Sequence, residues 1–237
     1  MFYFLPFTMP LISVIIPAHN EENYIKRTLH SLKTQQFQDH EVIVVTNGCT
    51  DGTEEIVKKR ESDNLKHFSM PIANVSRARN YGASKAMGDI LLFLDADTLL
   101  KDDALLKIKN RFSNKHAVAT TQSIADIKKL KYSLIMNFKN FYNSTGLYKG
   151  CSGALICRRK DFDAVDGYDS ELVVKEHRKL IKKLLSKGEY FCINTSVVTS
   201  MRRFEKWGIT RAGGFWIKKW FEDKFGNLKE SDYEKIR

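Results

Sequence analysis

Two carboxylates, Asp95 and Asp97, stand one residue apart at the end of the stretch ILLFLDADT, Ile90 to Thr98. The five apolar residues before them read as a short central strand buried on both faces. In an extended backbone, residues two apart point the same way, so both carboxylates should leave the strand end on one side. Open α/β sheets bind their ligands in the crevice beyond that end. Two hard oxygen ligands there suit a divalent cation, Mg²⁺ or Mn²⁺, and such ions commonly hold substrate phosphates as well. The plainer alternative is a polar strand end entering a turn.

The elements around this pair follow from the pattern. Leu11–Pro17 is a β-rich apolar run, followed by a helix from about Asn20. Asn20 is the expected N-cap, Glu21 and Glu22 suit the first turn, and Ile25, Leu29 and Leu32 form one apolar stripe. Glu41–Val45 reads as a second strand with Asn47-Gly48 as its turn, and a helix follows from near Asp51 to Arg60. Ser76–Met87 reads as a small-residue helix before the Asp95 strand, Asp102–Arg111 as a helix, and Val118–Ser123 as a strand. Strand–helix alternation of this kind predicts an α/β fold with a mainly parallel sheet and right-handed crossovers.

The chain of 237 residues is 43% hydrophobic and 11% aromatic, enough for one substantial core. Its net charge of +11 is uneven: residues 1–110 hold 13 Lys/Arg against 14 Asp/Glu, and residues 111–237 hold 26 against 14. An anionic partner for the second half, or a solvated basic face, accounts for that excess. Cys49, Cys151, Cys157 and Cys192 show no metal or disulfide spacing and are expected to be free thiols of a cytoplasmic protein. No apolar run is long enough to span a bilayer, roughly 20 residues. The N-terminal MFYFLPFTMPLIS lacks a basic leader region and reads poorly as a signal peptide, and Met9 is a candidate start.

Two stretches of the basic half interleave lysine with apolar residues at helical spacing. Ile127, Leu130, Leu134, Ile135, Phe138 and Phe141 run among Lys128, Lys129, Lys131 and Lys139. Trp216, Ile217, Trp220 and Phe221 run among Lys218, Lys219 and Lys224. Each is either a core face or a helix lying at a membrane interface.

Five motifs in order resemble the inverting GT-A-fold glycosyltransferases of glycosyltransferase family two. They are SVIIPAHNEE (Ser13–Glu22), EVIVVTNGCTDGT (Glu41–Thr53), SRARNYGASKAMGD (Ser76–Asp89), the Asp95-Ala96-Asp97 pair, and GCSGALICRRKDFDAVDGYDSEL (Gly150–Leu172) followed by Glu176. The resemblance implies a single GT-A catalytic domain over 1–237, with a Rossmann-like nucleotide-sugar-binding half at 11–110 and a basic acceptor-side half at 111–237. It implies that Pro17, Ala18, His19, Glu22, Thr46 and Asn47 embrace the base and ribose. Arg79 and Ala96 would lie near the nucleotide, and Asp95 and Asp97 would hold the cation that bridges the two phosphates. TSMRRFEKWG (Thr199–Gly208) is similar to a basic-aromatic motif of some members, which would bring Arg202 and Arg203 to the diphosphate, where guanidinium pairs well with phosphate.

Three residues depart from the family pattern. Thr46 stands where many members carry an Asp that reads the base, and His19 stands where a Tyr or other hydrophobe is usual. Glu176-His177 stands where many members carry Glu-Asp, whose Asp is the general base on the acceptor hydroxyl. An imidazole with the ordinary pKa near 6.5 suits a base at neutral pH, so Glu176 and His177 are the candidate catalytic pair. A phosphate monoester acceptor offers another route, because with a second pKa of about 6 it is already ionised. The expected function is therefore metal-dependent, inverting sugar transfer from a nucleoside diphosphate sugar to a glycan, a polyprenyl phosphate or another membrane-held acceptor, with peripheral contact at the cytoplasmic face of a membrane. A GT-A-shaped protein that binds nucleotide or acidic lipid without turnover is the alternative. No nucleic-acid-binding motif is present, and no such partner is expected.

Overall fold

The computed structural model describes residues 11–146, 149–151, 153–172 and 175–225. Met9 and the side chains of Trp216, Lys219, Trp220, Phe221 and Lys224 lie outside the described residues. The described elements, in chain order, are β1 (Ile12–Ala18), α1 (Ile25–Lys33), β2 (His40–Asn47), α2 (Thr53–Lys58), β3 (Leu65–Met70), α3 (Val75–Lys85), β4 (Ile90–Leu94) and β5 (Thr98–Leu100). They continue with α4 (Ala104–Arg111), β6 (His116–Ala125), α5 (Leu130–Ser144), β7 (Ala154–Arg158), α6 (Arg159–Asp163), α7 (Glu176–Leu184), β8 (Glu189–Thr199) and α8 (Arg202–Phe225).

One sheet runs through both halves in the order β3-β2-β1-β4-β7-β6-β8-β5. The four strands β3, β2, β1 and β4 are parallel, with Ile15 opposite Ile43 on one side and Phe93 on the other. Beyond β4 the sheet is mixed. β7 is antiparallel to both β4 and β6, β6 runs parallel with β8, and β5 is antiparallel to β8.

β4 sits between β1 and β7, and all five of its residues are buried. Burial at about 1.5–3 kcal/mol for each large apolar side chain makes this strand a principal source of stability. One face of the sheet packs Val14, Ile16, Val44 and Leu92 against Ile25, Leu29 and Leu32 of α1 and Leu105 and Ile108 of α4. The other packs Ile15, Ile43, Val45 and Phe93 against Ala78 and Ala83 of α3, Phe162 of α6, and Leu180, Ile181 and Leu184 of α7. α3 approaches so closely that a Cβ on Gly82 would lie 2.5 Å from Ile15 Cγ2. A third, smaller cluster joins Tyr132 and Met136 of α5 to Met201, with Phe204 of α8 packed on it. α8 is broken at Gly208 (φ 76°, ψ 164°), a conformation open to glycine.

Two local expectations are corrected. α1 begins at Ile25, five residues after Asn20, whose φ of 54° places it in the left-handed region that Asn tolerates. Its side chain instead accepts from the Thr50 backbone N–H at 2.8 Å, tying the loop after β1 to the loop after β2. The Asp95-Ala96-Asp97 segment is a turn rather than a strand continuation, closed by Thr98 N–H donating to the Asp95 carbonyl at 3.0 Å. The turn therefore sets the direction of the two carboxylates, and the two-residue strand period does not.

Candidate active site

The C-terminal ends of β1, β2 and β4 meet at one edge, and Asn47 knits two of them to the helix that follows. Its amide donates to the Ala18 carbonyl at 2.9 Å, and its side-chain oxygen accepts from Asn74 N–H, the N-cap of α3, at 3.0 Å. His19 Nδ1–H donates to the Asn47 carbonyl at 2.7 Å. Thr46 is fully buried and exchanges a 2.8 Å hydrogen bond with His67 Nε2 on β3. Pro17, Ala18, His19, Thr46 and Asn47 thus lie together at these strand ends, with Thr46 and Asn47 engaged inside the protein.

The turn that carries the carboxylates is held from α1: Thr28 Oγ1–H donates to the Ala96 carbonyl at 2.7 Å. Ala96 is itself buried in the core beside α1, so its side chain belongs to the packing. From this turn two arginine bridges run outward. Arg79, on α3 and only 3% exposed, donates to Asp95 Oδ1 at 2.8 Å and to Glu176 Oε1 at 2.7 Å. Arg202, at the start of α8, donates to both oxygens of Glu21 at 2.7 Å and lies 3.0 Å from Asp97 Oδ2. The Arg202 guanidinium also lies over the Tyr24 ring, 4.7 Å from its centroid.

Four carboxylates therefore share two guanidinium groups around the strand end. Burial pushes the Asp97 carboxyl up to about 6, and the neighbouring negative charges of Asp95 and Glu21 add to this against the pull of Arg202. Burial by itself would lower both arginines, yet the surrounding acids hold them above the ordinary value and fully charged.

Such a surplus of carboxylate fits a divalent cation. Asp95 and Asp97 supply hard oxygens, the chemistry Mg²⁺ and Mn²⁺ prefer, and these ions take their remaining ligands from water and substrate phosphate. Among the described residues no group of three or more His, Cys, Asp or Glu forms a closed cage.

Several expected contacts are redistributed. Glu22 turns to α2, where its carboxylate accepts from Gly52 N–H at 2.8 Å, a helix N-terminus that favours negative charge. Glu21, which reads as a mere first-turn residue, joins the acidic centre instead. Arg203 lies over the rings of Trp207 at 5.0 Å and Phe215 at 5.5 Å, whereas the neighbouring Arg202 reaches the carboxylates. Arg77 is exposed on α3, two residues from Arg79.

His177 lies in a setting that alters its ionisation. Its Nδ1 exchanges a 2.9 Å hydrogen bond with the Tyr168 hydroxyl, and its Nε2 is buried with no hydrogen-bond partner among the described residues. Burial drives its pKa well below 6.5, and the Arg79 charge lowers it further, so this imidazole is neutral at physiological pH. Glu176 begins α7 directly after Lys175, whose φ of 56° is left-handed. That conformation costs a non-glycine residue about 1–3 kcal/mol, and such strain is characteristic of functional sites.

Lys139 is a residue that sequence periodicity hides. It belongs to the lysine-aromatic stripe, yet it lies on the inner side of α5, where burial lowers its pKa and Asp95 and Cys151 are its electrostatic neighbours. Only the three-dimensional path of α5 brings it toward the carboxylates.

A sheet whose strand ends gather an Asp-x-Asp turn, two arginines and the Glu176 carboxylate has the GT-A architecture. Residues 13–162 match the family model described as Glycosyl transferase family 2. The chain belongs to that family. It is 36% identical over 115 residues to an uncharacterized glycosyltransferase of Haemophilus influenzae, a match covering 47% of this chain and 46% of the relative. Less than half of that curated relative's length is therefore spanned. Among solved structures it is similar to the mannosyltransferase PcManGT from Pyrobaculum calidifontis in complex with GDP-Man and Mn²⁺, with TM-score 0.70 and 19% identity over 90% of this chain and 66% of that one. It is also similar to S. aureus TarS 1-349 in complex with UDP-GlcNAc, with TM-score 0.65 and 22% identity over 94% of this chain and 61% of that one. These likenesses establish the GT-A fold.

Proposed function

We propose that this protein is a metal-dependent, inverting glycosyltransferase that moves a sugar from a nucleoside diphosphate sugar to an acceptor. The observation that carries the reading is Arg79, one guanidinium joining Asp95 on the donor side to Glu176 on the acceptor side, carboxylates 81 residues apart. The two structural neighbours, bound to UDP-GlcNAc and to GDP-Man with Mn²⁺, support a donor of this class and a divalent cation.

Residues 11–110 receive the donor and residues 111–237 form the acceptor side. The loops after β1 and β2, with Pro17 to His19 and Thr46 to Asn47, enclose the base and ribose. Asp95 and Asp97 would hold Mg²⁺ or Mn²⁺, which when bound would supply Lewis-acid neutralisation of diphosphate charge. Arg202 is placed to exchange part of its contact with Asp97 for a phosphate oxygen, and paired guanidinium hydrogen bonds favour that geometry. The acceptor oxygen attacks the anomeric carbon as the bond to the diphosphate breaks, which inverts the configuration.

Glu176 is the group assigned to take the proton of a hydroxyl acceptor. His177, neutral and hydrogen-bonded to Tyr168, positions α7 rather than accepting that proton. A phosphate monoester acceptor, a polyprenyl phosphate for instance, needs no such base because it is already ionised. The excess basicity after residue 110 favours an anionic acceptor of this kind, held at the cytoplasmic face of a membrane.

Donor hydrolysis tests the reading. Slow release of nucleoside diphosphate from UDP- or GDP-sugars, requiring Mg²⁺ or Mn²⁺ and lost in Asp97→Asn, is the expected result. Tight donor binding with no release under any metal would leave a binding protein of the same fold.

A further inference from the structure

α5 is amphipathic with an apolar outer face. Its inner side buries Tyr132 and Met136, whereas Leu130 is 78% exposed, Leu134 60%, Phe138 65% and Phe141 62%. These four residues lie within one quadrant of the helix and form a continuous ridge roughly 17 Å long at 1.5 Å per residue. Isolated exposed apolar residues are ordinary, but a contiguous ridge of this kind marks an interaction surface.

The charge around the ridge selects the partner. From residue 127 to residue 144, α5 and its approach, the sequence has four Lys and no Asp/Glu. Lys128 and Lys131 are exposed beside Leu130, and Lys129 pairs with Glu205 at 3.1 Å. A convex ridge of Leu and Phe beside lysines has the chemistry of a helix lying in the headgroup region of a bilayer, apolar side chains inserted and ammonium groups among anionic lipids. No helix among the described residues is long and apolar enough to cross a membrane.

We propose that the outer face of α5 is an interfacial docking surface for an anionic lipid bilayer. The proposal rests on reading residues 111–237 as the acceptor side, and it adds the element that makes contact. Phe138 and Lys139 are consecutive, so the helix that enters the bilayer with one face carries on another side a lysine that feels the Asp95 charge. Docking through α5 therefore presents a membrane-held acceptor to the site.

The test is sedimentation of the full chain with phosphatidylcholine vesicles, with and without added phosphatidylglycerol. Binding to the anionic vesicles is expected to exceed binding to the neutral ones by about tenfold or more and to fall with salt. Leu134→Ser/Phe138→Ser and Lys128→Glu/Lys131→Glu should each weaken it about tenfold, with the thermal midpoint and Mn²⁺-dependent donor binding unchanged, since all four side chains are exposed. Equal recovery from both vesicle types, or unaltered binding by the ridge variant, would overturn the proposal. So would a concentration-dependent dimer in ultracentrifugation that the ridge variant abolishes, which would assign the ridge to a second copy. Donor binding is read separately: vesicle binding without donor binding would sink the glycosyltransferase reading and leave the surface standing, and the reverse result would sink the surface alone.

Discussion

Arg202 and Glu21 are 181 residues apart in sequence, yet both carboxylate oxygens of Glu21 accept from the Arg202 guanidinium at 2.7 Å. The pair fastens the start of α8 to the loop after β1, and Arg202 reaches Asp97 at 3.0 Å from the same position. Glu21 is 5% exposed, so removing Arg202 takes a bidentate ion pair away from a buried charge. Arg202→Ala should cost about 3 kcal/mol, roughly 6–12 °C in thermal midpoint for a domain of this size. The double variant Glu21→Gln/Arg202→Ala should cost less than the two single changes added together. Additive costs would show that the bridge does not couple the two segments.

His177 gives the protein a pH dependence of stability. Its folded pKa lies well below 6.5, so as pH falls past 6.5 the unfolded chain binds a proton that the folded chain refuses. Stability from this group is full above 6.5 and is lost progressively below it. His40, His67 and His116 are lowered by burial as well and act in the same direction. His177→Gln should therefore flatten, but not abolish, the fall in thermal midpoint between about pH 7 and pH 5. The acid limb of the transfer rate should persist in this variant; its disappearance would restore His177 as the base.

Gly82 sets the distance between α3 and β1. A methyl group there meets Ile15 Cγ2 at 2.5 Å, with Val45 Cγ2 at 3.3 Å behind it. Because the obstacle is packed core, Gly82→Ala should destabilise by about 1–3 kcal/mol despite the better helix propensity of alanine. It should also displace Arg79, one turn earlier on α3, and raise the KM for donor. A midpoint equal to that of the unsubstituted chain would mean that α3 can move away freely.

The parallel half of the sheet was legible because its strands are short apolar runs alternating with helices. Ile90–Leu94 stands out as an unbroken buried run, and it is β4. β3, LKHFSM, has no fully buried residue and no apolar alternation, so only its pairing with β2 reveals it. β7 and β8 lie inside stretches that carry motif residues or mixed polar sequence, and their antiparallel and parallel partners come from distant parts of the chain. In the site, Asp95 and Asp97 were readable from spacing and residue type, and Arg79 and Arg202 from the family resemblance of their motifs. Glu21 was not, because adjacent glutamates look alike until Asn20 turns left-handed and sends Glu22 to α2 and Glu21 to Arg202. The outer face of α5 shows the same limit: periodicity identifies an apolar stripe but not whether protein covers it.

Binding of a nucleoside diphosphate sugar at the Asp95-Asp97 turn is the central claim, and calorimetric titration with and without Mn²⁺ measures it directly. The unsubstituted chain should bind one of a panel of UDP- and GDP-sugars only when Mn²⁺ is present. Asp97→Asn, which keeps the shape of the turn and removes its charge, should weaken that binding by about a hundredfold, the loss of roughly 3 kcal/mol expected for a charged ligand to a cation. Donor binding with the same affinity and the same Mn²⁺ dependence in Asp97→Asn would contradict the account.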